Sequence, residues 1–311
     1  MPLDSRLVTA FLAVAEQGSL SRAAQVLNLT QPALTRTIKR LEAQVGAPLF
    51  ERQPTGMTLT AYGEVLLRRA RILESETQTT LSEIRALRGI GQGSVRLGVV
   101  SSAAEVLLPP SIMRMGAAFP ETVFSIVVGL EDELAVRLVH GELDLAVAFH
   151  LPEGQDIQCL VRGPSHEGCC FVSGRGHALA SRANLSLEDI REANWVLPPE
   201  GTSVRSQVSE VFARNGVPAP DVRVETQSLL VMKALVERAG FLTWLPPMLF
   251  EGVASPLVAL DVRQAQMQSS RSFSIYCRTN SLLTVAASRA LQQLRKELGF
   301  GHQAGGARGA T

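Results

Sequence analysis

Near the start of the chain, apolar positions recur at helical spacing. Leu7, Phe11, Leu12, Val14 and Ala15 mark one amphipathic segment, and Ala23, Ala24 and Leu27 a short second one over residues 20–27. Leu34, Ile38, Leu41 and Val45, in steps of four and three, give a third helix its buried stripe. Ser19 stands where the second helix needs an N-cap, and Thr30 where the third does, with Pro32 in its first turn, where a missing N–H costs nothing. That rotation turns Gln31, Thr35, Arg36 and Lys39 outward. Residues 49–52 and 57–60 are β-prone runs around a turn-rich 53–56, which predicts a two-stranded wing.

Residues 60–88 are nearly free of helix breakers. Leu66, Ala70, Leu73, Thr77, Thr80, Ile84 and Leu87 form a four-and-three seam of coiled-coil type, weak at its two threonines. A helix packed on its own domain is the alternative. Glycines in 89–94 end the helix and suggest a hinge. Beyond it the pattern alternates. Strands are expected at 95–100, 123–128, 143–149, 169–172, 195–197, 222–225, 241–244 and 273–278. Helices are expected at 106–119, 131–140, 187–192, 203–215, 229–238 and 283–298. Such alternation predicts parallel sheets in two α/β lobes, joined by two crossovers around a cleft. Residues 301–311 read as a disordered tail.

A helix is the element that fits the major groove of B-DNA, where each base pair shows a distinct donor and acceptor pattern. Periodicity alone also fits an ordinary helical hairpin with a solvated basic face. The residues themselves are more specific. Phe11-Leu12-Ala13-Val14-Ala15-Glu16, Gly18-Ser19-Leu20, Ala23-Ala24, Leu27, Thr30-Gln31-Pro32-Ala33-Leu34, Ile38, Leu41-Glu42, Gly46, Pro48-Leu49-Phe50-Glu51-Arg52 and Leu59-Thr60 together resemble the LysR-type transcriptional regulator family. The resemblance implies an α/β protein overall. Its parts would be an N-terminal winged helix–turn–helix over 1–60, a dimerising linker helix over 61–88 and the hinge at 89–94. A C-terminal effector-binding domain over 95–300 would resemble type 2 periplasmic binding proteins, with lobe I at about 95–163 and 268–300 and lobe II at about 164–267. It further implies double-stranded operator DNA and a small-molecule effector as partners, and a homodimer assembling to a homotetramer. Gln31, Pro32, Thr35 and Arg36 would approach base edges, with Lys39 and Arg52 on phosphates. Ser21 joins this DNA-binding set, and Thr30 positions the helix.

The net charge of +1 conceals a gradient: residues 1–90 hold 11 Lys plus Arg against 8 Asp plus Glu, or +3, which leaves −2 for the remainder. A mildly basic head on a neutral body suits a specific dimeric binder better than a sequence-blind coating protein. No apolar stretch reaches the roughly 18 residues that span a bilayer, and no export signal opens the chain, so a cytoplasmic protein without a membrane partner is expected. Cys159, Cys169, Cys170 and Cys277 lack metal-ligand spacing. Cys169 and Cys170 adjoin in an expected strand, so their side chains should point to opposite faces as buried, reduced thiols.

In α/β lobes, ligands bind beyond the carboxyl ends of strands, where helix N-termini offer free N–H groups. Ser101 and Ser102, Thr202 and Ser203, and Gln227 occupy such turns, and Phe149 ends a strand as an apolar wall. Plain N-capping is the alternative role for each hydroxyl. Members of the resembled family place their effector at these positions. An organic acid or sugar acid would suit the donors, although no Arg or Lys falls at the Ser101 or Thr202 turns. No dinucleotide loop, nucleophile elbow or phosphate loop is present. His166 and Glu167 beside Cys169 read as a solvated pair, so no enzyme, cofactor or metal site is expected. Two other readings stand beside this one. The first is a small-molecule binding protein or enzyme whose N-terminal helices merely dimerise, and the second a chromosome-organising protein with no effector.

Overall fold

Side-chain caps set the first three helices. Asp4 caps α1 (Ser5–Gln17), Ser19 caps α2 (Leu20–Val26) and Thr30 caps α3 (Gln31–Val45), each accepting from a backbone N–H of the first turn. Gly18 and Gly46 close α1 and α3 in the left-handed region, where a side chain is disfavoured. In this computed structural model, which describes residues 4–54, 56–88, 93–164, 168–250, 255–263 and 272–300, Phe11, Val14, Leu34, Leu41 and Leu49 are buried together. Val45 leaves the expected stripe: it is the last residue before the Gly46 cap and is exposed.

The wing is β1 (Phe50–Gln53) antiparallel to β2 (Gly56–Leu59), with Phe50 opposite Leu59. Helix α4 (Ala61–Leu87) starts against its base. There Gly63 is required by close approach, because a Cβ would meet the Leu49 carbonyl oxygen at 2.2 Å and Leu59 Cδ2 at 2.8 Å. The expected seam along α4 divides. Leu66 and Ala70 pack into the core of their own domain, whereas Leu73 and Ile84 are exposed. Thr77 and Thr80 donate to carbonyls of their own helix. Leu87's side chain lies outside the described residues, as do the hinge at 89–92, the His166–Glu167 pair and the tail at 301–311.

The chain forms two compact units: Met1–Gly93 with Val136–Leu143, and Ser94–Ala135 with Asp144–Thr311. In the first, Ser75 Oγ donates to the Gly141 carbonyl, and Arg71 Nη1 lies 2.7 Å from His140 Nδ1 and 3.2 Å from Glu142 Oε1. Burial, then the Arg71 charge, lowers the His140 pKa.

Among the described residues the second unit holds three sheets. The chain runs β3 (Ser94–Val99), α5 (Ser101–Val106), α6 (Leu108–Ala118), β4 (Val123–Val128), α7 (Glu131–Val139), β5 (Leu145–Ala148) and β6 (Ile157–Arg162). It continues through β7 (Cys170–Gly174), α8 (Leu187–Arg191), β8 (Trp195–Leu197), α9 (Ser203–Arg214), β9 (Val222–Glu225), α10 (Leu229–Ala239) and β10 (Thr243–Leu245). Then β11 (Leu257–Ala259), β12 (Ser274–Arg278) and α11 (Val285–Phe300) follow. The largest sheet has the order β4-β3-β5-β12-β6. Its centre is buried on both faces, as the unbroken apolar β5 reflects.

Several expectations need correction. The sheets are mixed, not parallel: β3 pairs parallel with β4 and β5, but the returning β12 runs antiparallel to β5 and β6. In the three-stranded sheet β7 is antiparallel to both β10 and β11, and β8 and β9 pair in parallel in a two-stranded sheet of their own. Strands β6 and β11 lie outside the expected set. The expected helix at 106–119 is α6, which starts two residues later with proline in its first turn, after a separate short helix α5. No described helix is long and apolar enough to cross a membrane.

Candidate DNA interface and effector pocket

Helix α3 presents Gln31, Pro32, Arg36 and Lys39 as exposed residues and Thr35 half-buried. The Thr30 hydroxyl accepts from Ala33 N and fixes the helix start. Ser21, on α2, donates from Oγ to Gln31 Oε1 at 2.9 Å, which joins two of the expected reading residues across the turn. Thr35 Oγ1 donates to the Gln31 carbonyl, which commits its hydroxyl proton within the helix. Arg52 is exposed on β1. Arg36, Lys39 and Arg52 have no ion-pair partner among the described residues. Cations without an internal carboxylate partner are open to an external anion.

Within the second unit, one cavity of about 460 Å³ is lined by Ser101, Ser102, Phe149, Thr202, Ser203 and Gln227. All the expected effector residues therefore reach one space, a size suited to a small ligand. The strand-end rule explains their convergence. Ser101 and Ser102 open α5 after β3, Thr202 caps α9, and Gln227 precedes Ser228, the cap of α10. The capping alternative also holds for Thr202, whose hydroxyl accepts from Arg205 N and donates to the Pro199 carbonyl. Phe149 stacks on Phe273 with ring centres 4.5 Å apart.

Sequence reading missed Glu131, Asp132, His150, Cys169 and Trp244, which line the same cavity. A signal for the acids was present, because Glu131 opens α7 just after β4, the same strand-to-helix turn that singled out Ser101. Glu131 Oε1 accepts from His150 N at 2.9 Å, and its Oε2 from Ser203 Oγ at 3.3 Å. Neither Lys nor Arg is among the described lining residues, so an acid effector would meet like charge from Glu131 and Asp132.

Trp244 sits where the pocket meets the aromatic core of Phe171, Trp195 and Phe212, its ring centre 4.5 Å from that of Phe171. The Trp195 indole N–H donates to the Ile190 carbonyl, but Trp244 Nε1 is buried without a partner among the described residues. Cys169 belongs to this cluster and Cys170 to the one around Val172 and Met232, as strand alternation requires.

Comparison with known proteins matches both regions of the chain to one family. The pattern of bacterial regulatory helix–turn–helix proteins of the lysR family matches residues 5–64, and that of the LysR substrate binding domain matches residues 88–299. The regulator GbpR of Azospirillum brasilense is 34% identical over 236 residues, 75% of this chain and 69% of that protein. The regulator BbuR of Bordetella bronchiseptica is 29% identical over 294 residues, 94% of this chain and 87% of its own. Among solved structures, full-length CbnR complexed with its target DNA superposes with a TM-score of 0.66 at 21% identity, over 95% of this chain and all of that one.

Proposed function

The chain belongs to the LysR family of bacterial helix–turn–helix transcriptional regulators, and from that membership we propose how its residues divide the work of DNA binding and ligand response. Gln31, Pro32, Thr35 and Arg36 read base edges, Ser21 joins them, Thr30 positions the helix, and Lys39 and Arg52 hold phosphates. The carrying observation is the outward row of unpaired cations on α3 and the wing, beside the Ser21–Gln31 bond. Ser101, Ser102, Phe149, Thr202, Ser203 and Gln227 hold a small effector in the cavity of the second unit.

The protein carries out no catalytic step. It acts in the cytoplasm, where its DNA is, as a homodimer that assembles to a homotetramer. Tyr62, Val65, Leu73, Leu81 and Ile84 supply exposed apolar surface along α4 for the pairing.

A mobility-shift titration on the DNA flanking its own gene tests the reading. Arg36→Ala should cost about 1–3 kcal/mol of operator binding, the size of one base contact, while barely changing affinity for random DNA. Unchanged discrimination between operator and random DNA would remove Arg36 from the base-reading set.

A further inference from the structure

We infer that the effector is an uncharged, hydroxyl-bearing molecule with an apolar face, not an acid. This rests on the reading of the cavity as the effector site. Two carboxylates, Glu131 and Asp132, line that cavity, and Lys and Arg are missing from its lining among the described residues. Nearby cations are already matched: Arg205 pairs with Glu225 at 3.5 Å, and Lys233 pairs with Glu105. Asp132 is exposed and has no ion-pair partner among the described residues. Helix α7, whose N-terminus would otherwise favour an anion, carries Glu131, Asp132 and Glu133 in its first turn. A carboxylate ligand would therefore meet acidic side chains on the side where it needs donors.

An ammonium group would satisfy the acids, but it has no lone pair of its own to offer. The cavity also holds the opposite demand. Ser101, Ser102 and Ser206 place hydroxyl donors on its lining, and each needs a lone pair on the ligand to donate to. A hydroxyl meets both demands, because it donates to Glu131 or Asp132 and accepts from the serines. Phe149, Met232, Leu245 and Leu249 provide the apolar wall for the ligand's carbon face.

The test is a titration of the full-length protein, followed by tryptophan fluorescence and thermal shift, with matched alcohol, carboxylate and amine members built on sugar, aromatic and alicyclic skeletons. Benzyl alcohol, benzoate and benzylamine form one such set, and glucose, gluconate and glucosamine another. The expected result is that the tightest responder is an alcohol, at least tenfold tighter than its carboxylate partner. In Glu131→Gln that discrimination should shrink about tenfold, a change that loss of a purely structural hydrogen bond would not produce. A carboxylate that binds best overturns the inference, as does an amine that binds best or a panel in which no alcohol responds. Ser102→Trp, which fills the cavity, separates the two levels. Acid binding abolished by it sinks only the ligand class. Binding of any kind that survives it sinks the cavity as the effector site.

Discussion

Gly63→Ala should loosen the joint between the wing and α4. Its new Cβ would sit 2.2 Å from the Leu49 carbonyl oxygen, about 1 Å inside ordinary contact. That oxygen is not free to retreat, because it accepts from Thr60 N at 3.0 Å and Leu49 is fully buried. Overpacking costs typically ~1–3 kcal/mol, and the lost hydrogen bond adds ~0.5–1.5 kcal/mol, so the expected destabilisation is about 2–4 kcal/mol. For a unit of this size, one kcal/mol moves the melting temperature by roughly 4–8 °C. Calorimetry should therefore show the transition of the first unit falling by about 8 °C or more. Operator binding should weaken as the wing shifts. Gly116→Ala in α6 is the control, since no atom lies within 4 Å of its new methyl group. There the helix gains up to about 1 kcal/mol from the better helix former. The steric argument fails if Gly63→Ala melts within about 2 °C of the parent, or if both variants lose stability alike.

Lys39→Ala should weaken operator and random DNA equally and lower the slope of log affinity against log salt by about one, whereas an unaltered slope takes Lys39 off the phosphates. His140 should tune stability with pH. Its folded pKa is lowered by burial and by Arg71, so the unfolded chain takes up the proton first and stability falls as pH drops below about 6.5. Denaturant titrations between pH 7.5 and 5.5 should show that loss in the parent and a smaller one in His140→Gln; parallel curves refute it. Phe212→Ala should cost about 3–5 kcal/mol, because its fully buried ring packs edge-on against Phe171 and Trp195. A loss below 1 kcal/mol in a denaturant melt would mean that the cluster repacks.

What the sequence made legible follows the range of the interactions involved. The caps Ser19 and Thr30 act within a few residues, so they could be read directly, and they set α2 and α3. The pocket hydroxyls were found because strand-to-helix turns carry a local signature. Strand direction is different. The antiparallel β12 is set by where the chain re-enters the sheet beside β5 and β6, more than a hundred residues away, and no local period encodes that. Val45 and Ala70 show the same limit from another side. Periodicity assigned both to apolar faces, but only the neighbours present in the fold decided that one is exposed and the other buried in its own core. Trp244 was invisible for a third reason: its orphaned N–H is a property of its surroundings, not of the residue.

The hydrogen bond from Ser21 to Gln31 also bears on when the reading helix spends its conformational entropy. Gln31 is held before DNA arrives, so little freedom remains for it to lose on contact. Arg36, Lys39 and Arg52 sit on long exposed side chains that must be immobilised at the moment of binding, at about 0.5–1.5 kcal/mol each. Ser21→Ala would release Gln31 into the second group without removing any charge. The affected quantity would then be the entropy of association, visible by calorimetry at constant salt slope, and the complex would dissociate faster while encounter with DNA kept its speed.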